Sequence, residues 1–563
     1  MVWVSSISVL KDIPMRIRSF MLLFICFSLL IGMASPAQAA EIIVTTLSDN
    51  DGTCPGDTCS LRAAIQAAAP GDIIRVSVQG VIALNSEIVI SKSLTINGGT
   101  NLTLDAGGEA RIMTINAPDV MINNVRFING SAETGGAIFV GADAVATLFN
   151  VELSGNTAVS GGAITVGRGT LILRRSRLFD NTATDVGGAI HSNQGTLNVI
   201  NTSLRDNQVD GSDANTVGAR GGAINLIGGT AALYRVTFLS NRVLVRAGDT
   251  PPEGAGLRLI NGAVVTIANS TFSANRADDG SAGAVLVGSG ELNLFHVTLA
   301  GNIQTDAALT VLDGIVRIQN SVFIGNTTDC RIASTVMVEG DNNLGRLPCP
   351  DARNEATGVV LIASDQGGDT PTNALLASSN AIDAADSCVY PPAFTVAVFG
   401  EAGAPLRVDQ RGFVRPTGRA CDLGAFESGA VPPTPVPTQA AVRLAPDRVL
   451  HVSAPAQNLR ESVGGRIGEF VITLDRAPIQ GEVITITPVF DAAQVNIEPT
   501  TRTLDNGNWE TGRRFGIRVI DDTLREGAHQ TVITFRVTSS DQRSPFNGAQ
   551  PNNRVTVSIQ DNE

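Results

Sequence analysis

The sequence predicts an all-β protein: a parallel β-helix solenoid followed, after a proline-rich break, by a small β-sandwich. Three observations predict it. A phrase made of Gly-Gly-Ala-Ile, an alternating apolar run and an Asn recurs from about Asn123 to Asn326. The apolar residues inside it alternate, as in Thr196-Leu197-Asn198-Val199, which is the period of a strand and not of a helix. Beyond residue 440 the phrase vanishes and short apolar strands recur at sandwich spacing.

The repeated phrase comes first. Gly135-Gly136-Ala137-Ile138, Gly161-Gly162-Ala163-Ile164, Gly187-Gly188-Ala189-Ile190 and Gly221-Gly222-Ala223-Ile224 carry the step outright. Gly254-Ala255-Gly256-Leu257, Ala282-Gly283-Ala284-Val285 and Asp306-Ala307-Ala308-Leu309 are degenerate copies. The marker falls at Asn156, Asn181, Asn207, Asn241, Asn275, Asn302 and Asn326, each three residues after Leu153, Leu178, Leu204, Phe238, Phe272, Leu299 or Phe323. These markers step by 25, 26, 34, 34, 27 and 24 residues, and a period of this size means one supersecondary unit stacked on copies of itself. Coils stacked at ~4.8 Å give, for about ten of them, a rod on the order of 50 Å. Gly suits a tight corner, Ala and Ile fill a narrow interior, and Asn tolerates left-handed geometry while bonding from coil to coil. The Asn column therefore reads as a structural ladder. The two longer steps place insertions at 210–220 and 246–253, and insertions in solenoids go to one face and often carry function.

Composition sets limits on function. The 563 residues are 43% hydrophobic and 17% charged, enough for two or more folded domains. A net charge of −13 argues against nucleic acid and anionic membrane surfaces and favours divalent cations. Lys11, Arg16 and Arg18 precede an apolar run, 20–33, and then Ala37-Gln38-Ala39, so residues 1–39 read as an export signal cleaved after Ala39. Met15 is a second candidate start, and an uncleaved anchor is the alternative reading. No other stretch reaches the ~18 apolar residues of a span, so a secreted or cell-surface protein is expected, with no membrane span after signal cleavage. Besides Cys26 there are six cysteines in three local pairs, Cys54/Cys59, Cys330/Cys349 and Cys388/Cys421. Six allow fifteen connectivities, of which the local one is the simplest. Without CxxC spacing and with only four His, disulfides are favoured over metal. One pair precedes the coils and two follow, as if to pin the open ends.

Residues 40–80 form a first cap. Ser60 can N-cap a helix that buries Leu61, Ala64, Ile65 and Ala68, plugging the first coil. Cys59-Ser60-Leu61-Arg62-Ala63-Ala64 resembles the cap of secreted bacterial proteins named for the motif Cys-Ser-Leu-Arg-Glu-Ala, with Ala63 in place of the Glu. Asp49, Asp51 and Asp57 read as turn and capping residues rather than calcium ligands. Coils fill 81–328. The first of them, with Ile88-Val89-Ile90 and Leu102-Thr103-Leu104-Asp105, resemble those of pectate-lyase-like right-handed β-helices, which implies a right-handed solenoid. The later repeats look like those of the chlamydial polymorphic outer-membrane proteins. Residues 329–428 form a closing segment. Its motifs Gln366-Gly367-Gly368-Asp369, Asp409-Gln410-Arg411-Gly412 and Cys421-Asp422-Leu423-Gly424-Ala425-Phe426-Glu427 resemble the choice-of-anchor Q class of secreted β-helix proteins. Asp409, Arg411, Arg415 and Asp422 look like a catalytic cluster, but a network holding a cap over the last coil is the preferred reading. A Pro-rich linker, 429–440, leads to 441–563, where Glu461, Asp521, Asp522, Glu526 and Asp561 resemble the acidic loops of the Calx-β module. That resemblance implies calcium at those five residues.

Two functions compete. A polysaccharide lyase or glycoside hydrolase, as the pectate-lyase-like resemblance suggests, needs calcium ligands with a base, or paired carboxylates at a set separation. Past the signal Lys92 is the only lysine, His191 and His296 stand alone, and Asp180 and Asp206 fall in the Asn turn instead of on a strand. Arg174, Arg175 and Arg177 make a basic spot that a solvated face explains. The favoured expectation is a non-catalytic surface or extracellular protein that binds a polysaccharide, or a cell-surface glycan or protein, through many weak contacts along the rod.

Overall fold

The computed structural model describes residues 40–50, 52–211, 219–245, 253–277, 283–303, 306–388 and 406–430, and, between 450 and 560, the strands of a second unit with parts of their connections. The expected export signal, most of both insertions and residues 431–440 of the linker lie outside the described residues. The chain divides into two compact units, Met1–Pro435 and Val436–Glu563.

The first unit is a parallel β-helix. One repeat shows how a coil is made: Val145–Phe149 forms a first face, Glu152–Ser154 a second, Thr157–Ser160 a third and Ile164–Val166 a fourth. The next coil repeats them in register, with Leu148 beside Leu173, Leu153 beside Leu178, Ala158 beside Ala183 and Ile164 beside Ile190. Ten strands build the fourth face and six the third, while the first two faces merge into one 20-stranded sheet. Because adjacent residues of a strand point to opposite sides, every second residue enters the interior and forms a stack with its counterparts. Phe127, Leu153, Leu178, Leu204, Phe238, Phe272, Leu299 and Phe323 are one such column, all at 0–1% exposure. The Phe238 and Phe272 rings in it lie parallel with centroids 4.3 Å apart.

The Gly-Gly-Ala-Ile step is the corner between the third and fourth faces. Its first glycine is left-handed, with φ of 67°, 66° and 68° at Gly161, Gly187 and Gly221. Its second sits where coils touch: a Cβ on Gly162 or Gly188 would lie 2.2 Å from the carbonyl oxygen of Gly188 or Gly222 in the next coil. Two glycines in succession thus answer two different demands.

The Asn column is a continuous buried ladder. Asn156 Nδ2 donates to Asn181 Oδ1 at 2.9 Å, and the pattern continues through Asn207, Asn241, Asn275, Asn302 and Asn326 at 2.9–3.1 Å. Each Oδ1 also accepts the backbone N–H of the preceding coil's Asn, as Asn207 Oδ1 does from Asn181. Each Nδ2 reaches back to the carbonyl of that coil's large apolar residue, Asn181 to Leu153 and Asn207 to Leu178. The apolar-x-x-Asn spacing is therefore one bonded unit, closed across two coils.

The first cap follows expectation. Ser60 Oγ accepts the Ala63 N–H at 3.1 Å and opens the helix Leu61–Ala67, whose buried side packs into the first coil. Arg62 forks onto Asp49, with both bonds under 3 Å, so Asp49 serves the cap. Disulfides join Cys54–Cys59, Cys330–Cys349 and Cys388–Cys421.

The closing segment differs from the expectation of a lid on the last coil. It runs back along the side of the rod as a strap. The corner between the first and second faces is a column of left-handed residues: Asn124, Asn150, Arg175, Asn201, Arg235, Asn269, His296, Asn320 and Asn342. The strap docks on six of these. Asn342 and Asn320 donate to the carbonyls of Ala384 and Ser387, His296 Nδ1 meets the carbonyl of Asp422, and Asn269 donates to that of Val408. Arg235 donates to the carbonyl of Gln410, and Arg175 pairs with Asp369 at 3.2 Å. The last coil is closed instead by the turn that carries Cys349, tied by the disulfide to Cys330 on the strand Cys330–Ile332, and by the strand Ala352–Asn354.

The second unit has two sheets. Leu450–Val452, Gly468–Leu474, Arg513–Val519 and Val495–Glu498 form one, and Ala456–Arg460, Val555–Gln560, His529–Ser539, Ile484–Val489 and Arg502–Leu504 the other. They enclose one apolar core around Phe470, Phe515 and Phe535.

The ladder carries a stability prediction. Asn207→Ala removes the buried acceptor of the Asn181 backbone N–H and of one Asn181 Nδ2 bond, and the Nδ2 donor to the Leu178 carbonyl, so urea unfolding should show a loss of about 2–4 kcal/mol. A loss within experimental error would mean that the ladder does not hold the coils together.

Candidate functional site

An open groove of about 620 Å³ runs along the rod across five consecutive coils. Its lining is Asp180, Thr182, Asp206, Gln208, Ser240, Arg242, Ala274, Arg276 and Ile303. These residues flank the ladder in sequence: Asp180-Asn181-Thr182, Asp206-Asn207-Gln208, Ser240-Asn241-Arg242, Ala274-Asn275-Arg276 and, at the far end, Asn302-Ile303. The buried Asn column is the spine of the groove, and the residues before and after each Asn are its two rims.

The rims have different backbones. Asp180, Asp206, Ser240 and Ala274 are left-handed, with φ of 53–55°, the corner between the second and third faces. Thr182, Gln208, Arg242 and Arg276 stand in register on third-face strands. Along that rim the side chains link, Arg242 Nε donating to Gln208 Oε1 at 2.8 Å and Gln208 Nε2 to Thr182 Oγ1 at 3.3 Å. Asp180 and Asp206 follow one another at the same corner, and burial pushes the Asp206 carboxyl up, with the Asp180 charge adding and Arg205 and Arg242 opposing. Arg205 lies 4.8 Å over the Phe179 ring beside them. Arg205 also pairs with Asp206 at 3.5 Å, so the charge at that end is partly compensated, and exposed Ile303 closes the far end of the groove.

Asp409, Arg411, Arg415 and Asp422 are brought together, but with Glu427 they form the buried fastening of the strap. Arg411 forks onto Asp409 at 2.8 and 2.7 Å and lies between the Phe413 and Phe426 rings. Arg415 bonds Glu427 at 2.9 Å, the Gly424 carbonyl and Asn269. The Arg415 and Glu427 side chains are 0% and 1% exposed, so this cluster has no access to a substrate. Burial pushes the Asp422 carboxyl up to about 6, against the amide donors Ser428 and Asp383. The expected calcium residues, Glu461, Asp521, Asp522, Glu526 and Asp561, lie outside the described residues. Among the described residues no group of three or more His, Cys, Asp or Glu is placed to hold a metal ion, and no helix is long and apolar enough to cross a membrane.

His191 proves not to stand alone. On the fourth face its Nδ1 meets Asn225 Nδ2 at 3.0 Å, Asn225 Oδ1 accepts from Arg258 at 3.1 Å, and Arg258 pairs with Glu253. The fixed Asn225 orientation makes Nδ1 an acceptor and leaves the proton on Nε2. Burial, aided by the Arg258 charge, lowers the His191 pKa to about 4. His296 is fully buried under the strap, and burial also lowers its pKa.

No family model matches the chain, and no curated protein matches it. The class that the structure defines is thus architectural: a parallel β-helix with a lateral strap and a groove seated over its Asn ladder, followed by a separate β-sandwich.

His191 gives a pH prediction. Its folded pKa of about 4 lies below the unfolded value, so the unfolded chain binds the extra proton between the two. Stability is then complete above about pH 6.5 and falls as pH drops towards 4, by on the order of 3 kcal/mol. Urea midpoints across this range should fall more steeply for the native chain than for H191Q. Parallel curves would show that His191 titrates normally.

Proposed function

We propose that the protein is exported and non-catalytic, and that its β-helix binds glycan or another cell-surface component along its coils. The groove carries this reading. Four coils present polar or charged side chains at a constant pitch and a fifth adds Ile303, so a linear ligand meets one contact set per coil, and weak contacts sum. Three disulfides fit an oxidising, extracellular setting, as does the leader-like N-terminus. Kinship with the Cys-Ser-Leu-Arg-Glu-Ala and choice-of-anchor Q proteins is supported by the Ser60 cap and by the Asp409–Arg411 fastening. The β-sandwich is a spacer or second binding module. Its Calx-β resemblance assigns calcium to Glu461, Asp521, Asp522, Glu526 and Asp561, and its two-sheet core supports the resemblance.

Glycan hydrolysis is the second reading, and one observation favours it. Asp180 and Asp206 stand one coil apart, roughly 5 Å by the coil rise, near the separation of retaining carboxylate pairs. One experiment separates the two readings. The full exported chain is incubated with acidic and neutral polysaccharides, with and without calcium, and scored for both pull-down and chain shortening. Retention without shortening is the expected result. Shortening that disappears in D206N would replace binding by hydrolysis, and absence of both would leave a scaffold.

A further inference from the structure

The second unit carries a groove of its own. It has a volume of about 450 Å³ and is lined by Asn496, Glu498, Pro499, Arg502, Gly516 and Arg518, within the ~300–1,000 Å³ of small-ligand sites. Alternation explains its position. On the strand Arg513–Val519 the side chains of Phe515, Ile517 and Val519 enter the core, so Arg514, Gly516 and Arg518 face outward. Register sets Arg518 beside Asn496 and Gly516 beside Glu498 on the neighbouring edge strand. The missing side chain at Gly516 makes the floor of the groove, and Arg502 enters it just after Pro499.

The two arginines are not spent on the protein itself. Both are exposed, and among the described residues neither the Arg502 nor the Arg518 side chain has a hydrogen-bond or ion-pair partner. Glu498 accepts from the Asn496 amide at 3.4 Å and is paired with neither arginine. Resting on the reading of the sandwich as a second binding module, we infer that this groove binds an acidic sugar, a uronate residue of a glycan, through its carboxylate. Two guanidiniums and one carboxylate leave a single positive charge, which a monoanion neutralises and a phosphate dianion overfills. Each guanidinium is a planar fork that fits the two oxygens of a carboxylate. Glu498 and the Asn496 amide supply acceptor and donor for the sugar hydroxyls, and Pro499 with Gly516 offers the C–H face of the ring an apolar surface. An acidic peptide fits less well. The backbone beneath the groove is already paired from Val495–Val519 to Glu498–Gly516, and an extended peptide takes its affinity from a free ladder. Added at the open edge, it would lie beside the sheet and not over Gly516.

The test uses short ligands on the full exported chain. Tetragalacturonate, its methyl ester, cellotetraose, a sulfated carrageenan tetrasaccharide and tetraglutamate are titrated by calorimetry. Tetragalacturonate should bind best, more weakly as salt rises, and R502Q and R518Q should each weaken it about tenfold. G516V removes no charge but fills the floor, and should weaken binding as much, with circular dichroism verifying the fold. No binding of tetragalacturonate, or binding unchanged in both arginine variants, overturns the site. Equal binding of the methyl ester or cellotetraose overturns recognition of the carboxylate. Equal or tighter binding of the sulfated tetrasaccharide replaces uronate by sulfate, and preference for tetraglutamate transfers the groove to peptides. Polysaccharide pull-down with R502Q/R518Q separates this site from the rod. Retention that survives the double variant leaves glycan binding by the rod standing even where the uronate site fails, and absence of all glycan binding fells both.

Discussion

A parallel β-helix depends on phase. Each coil donates backbone hydrogen bonds to both of its neighbours, as the Asn201 N–H does to Tyr234 in the next coil and the Thr196 N–H to Gly169 in the previous one, and a slip of one residue would turn every interior side chain outward. Coil lengths in this chain nevertheless vary from 24 to 34 residues, so length alone cannot hold the phase. The Asn ladder does. Its amide is fixed to the Asn of the next coil and to the apolar residue's carbonyl in the previous one, so each coil is re-indexed at that point however much chain was added elsewhere. Both insertions leave from the same corner, between the third face and the Gly step, where the ladder has just restored the register. The interior stacks on either side keep their register, with Ala183 beside Val209 and Ile190 beside Ile224.

Left-handed corners serve a second purpose. A residue at positive φ favours Gly, Asn, Asp or His, and the corner between the first two faces uses mostly Asn, with one His and two Arg. Their polar side chains project where the strap passes, so the backbone constraint also supplies the docking rail. Beneath the strap, Thr237, Thr271 and Thr298 are buried with their hydroxyls bonded to it. Gln410 is the central link: its amide donates to Thr237 and accepts from Thr271, while its carbonyl accepts from Arg235. Buried ion pairs at Asp409–Arg411 and Arg415–Glu427 fix the strap to itself, where losing one partner would leave a charge stranded.

The periodic part of this structure was legible because it rests on local rules repeated many times. Alternation gave the strands, the doubled glycine gave the corner and the Asn gave the ladder. What could not be read was anything that depends on distant segments meeting. Asp409, Gln410 and Arg411 were visible as a dense motif, but nothing in it says that Gln410 reaches Thr237, which lies 173 residues away. His191 looked isolated because Asn225 and Arg258 join it only through strand register. Asp180 and Asp206 were visible too, and were set aside as turn residues. They are turn residues, and the turn is the rim of the groove. The signal that would have found it was present: the residues immediately before and after each ladder Asn, read as two columns.

Those columns explain how one fold holds a stable core and a variable surface a residue apart. The ladder Asn is fully buried, and its bonding permits no substitute of another shape. The residue before it takes φ near 50–65°, and the residues observed there are Gly155, Asp180, Asp206, Ser240, Ala274, Gly301 and Gly325. A carboxylate is the only charge in this set, so on this chain the left-handed rim carries only negative charge. The residue after the Asn is ordinary strand and carries Thr, Gln, Arg or Ile without penalty, so positive charge enters the groove from this side. The placement of acid on one rim and base on the other is thus a side-chain choice, since the left-handed corner between the first two faces accepts Arg175 and Arg235, while the Asn between the rims keeps the coils in phase.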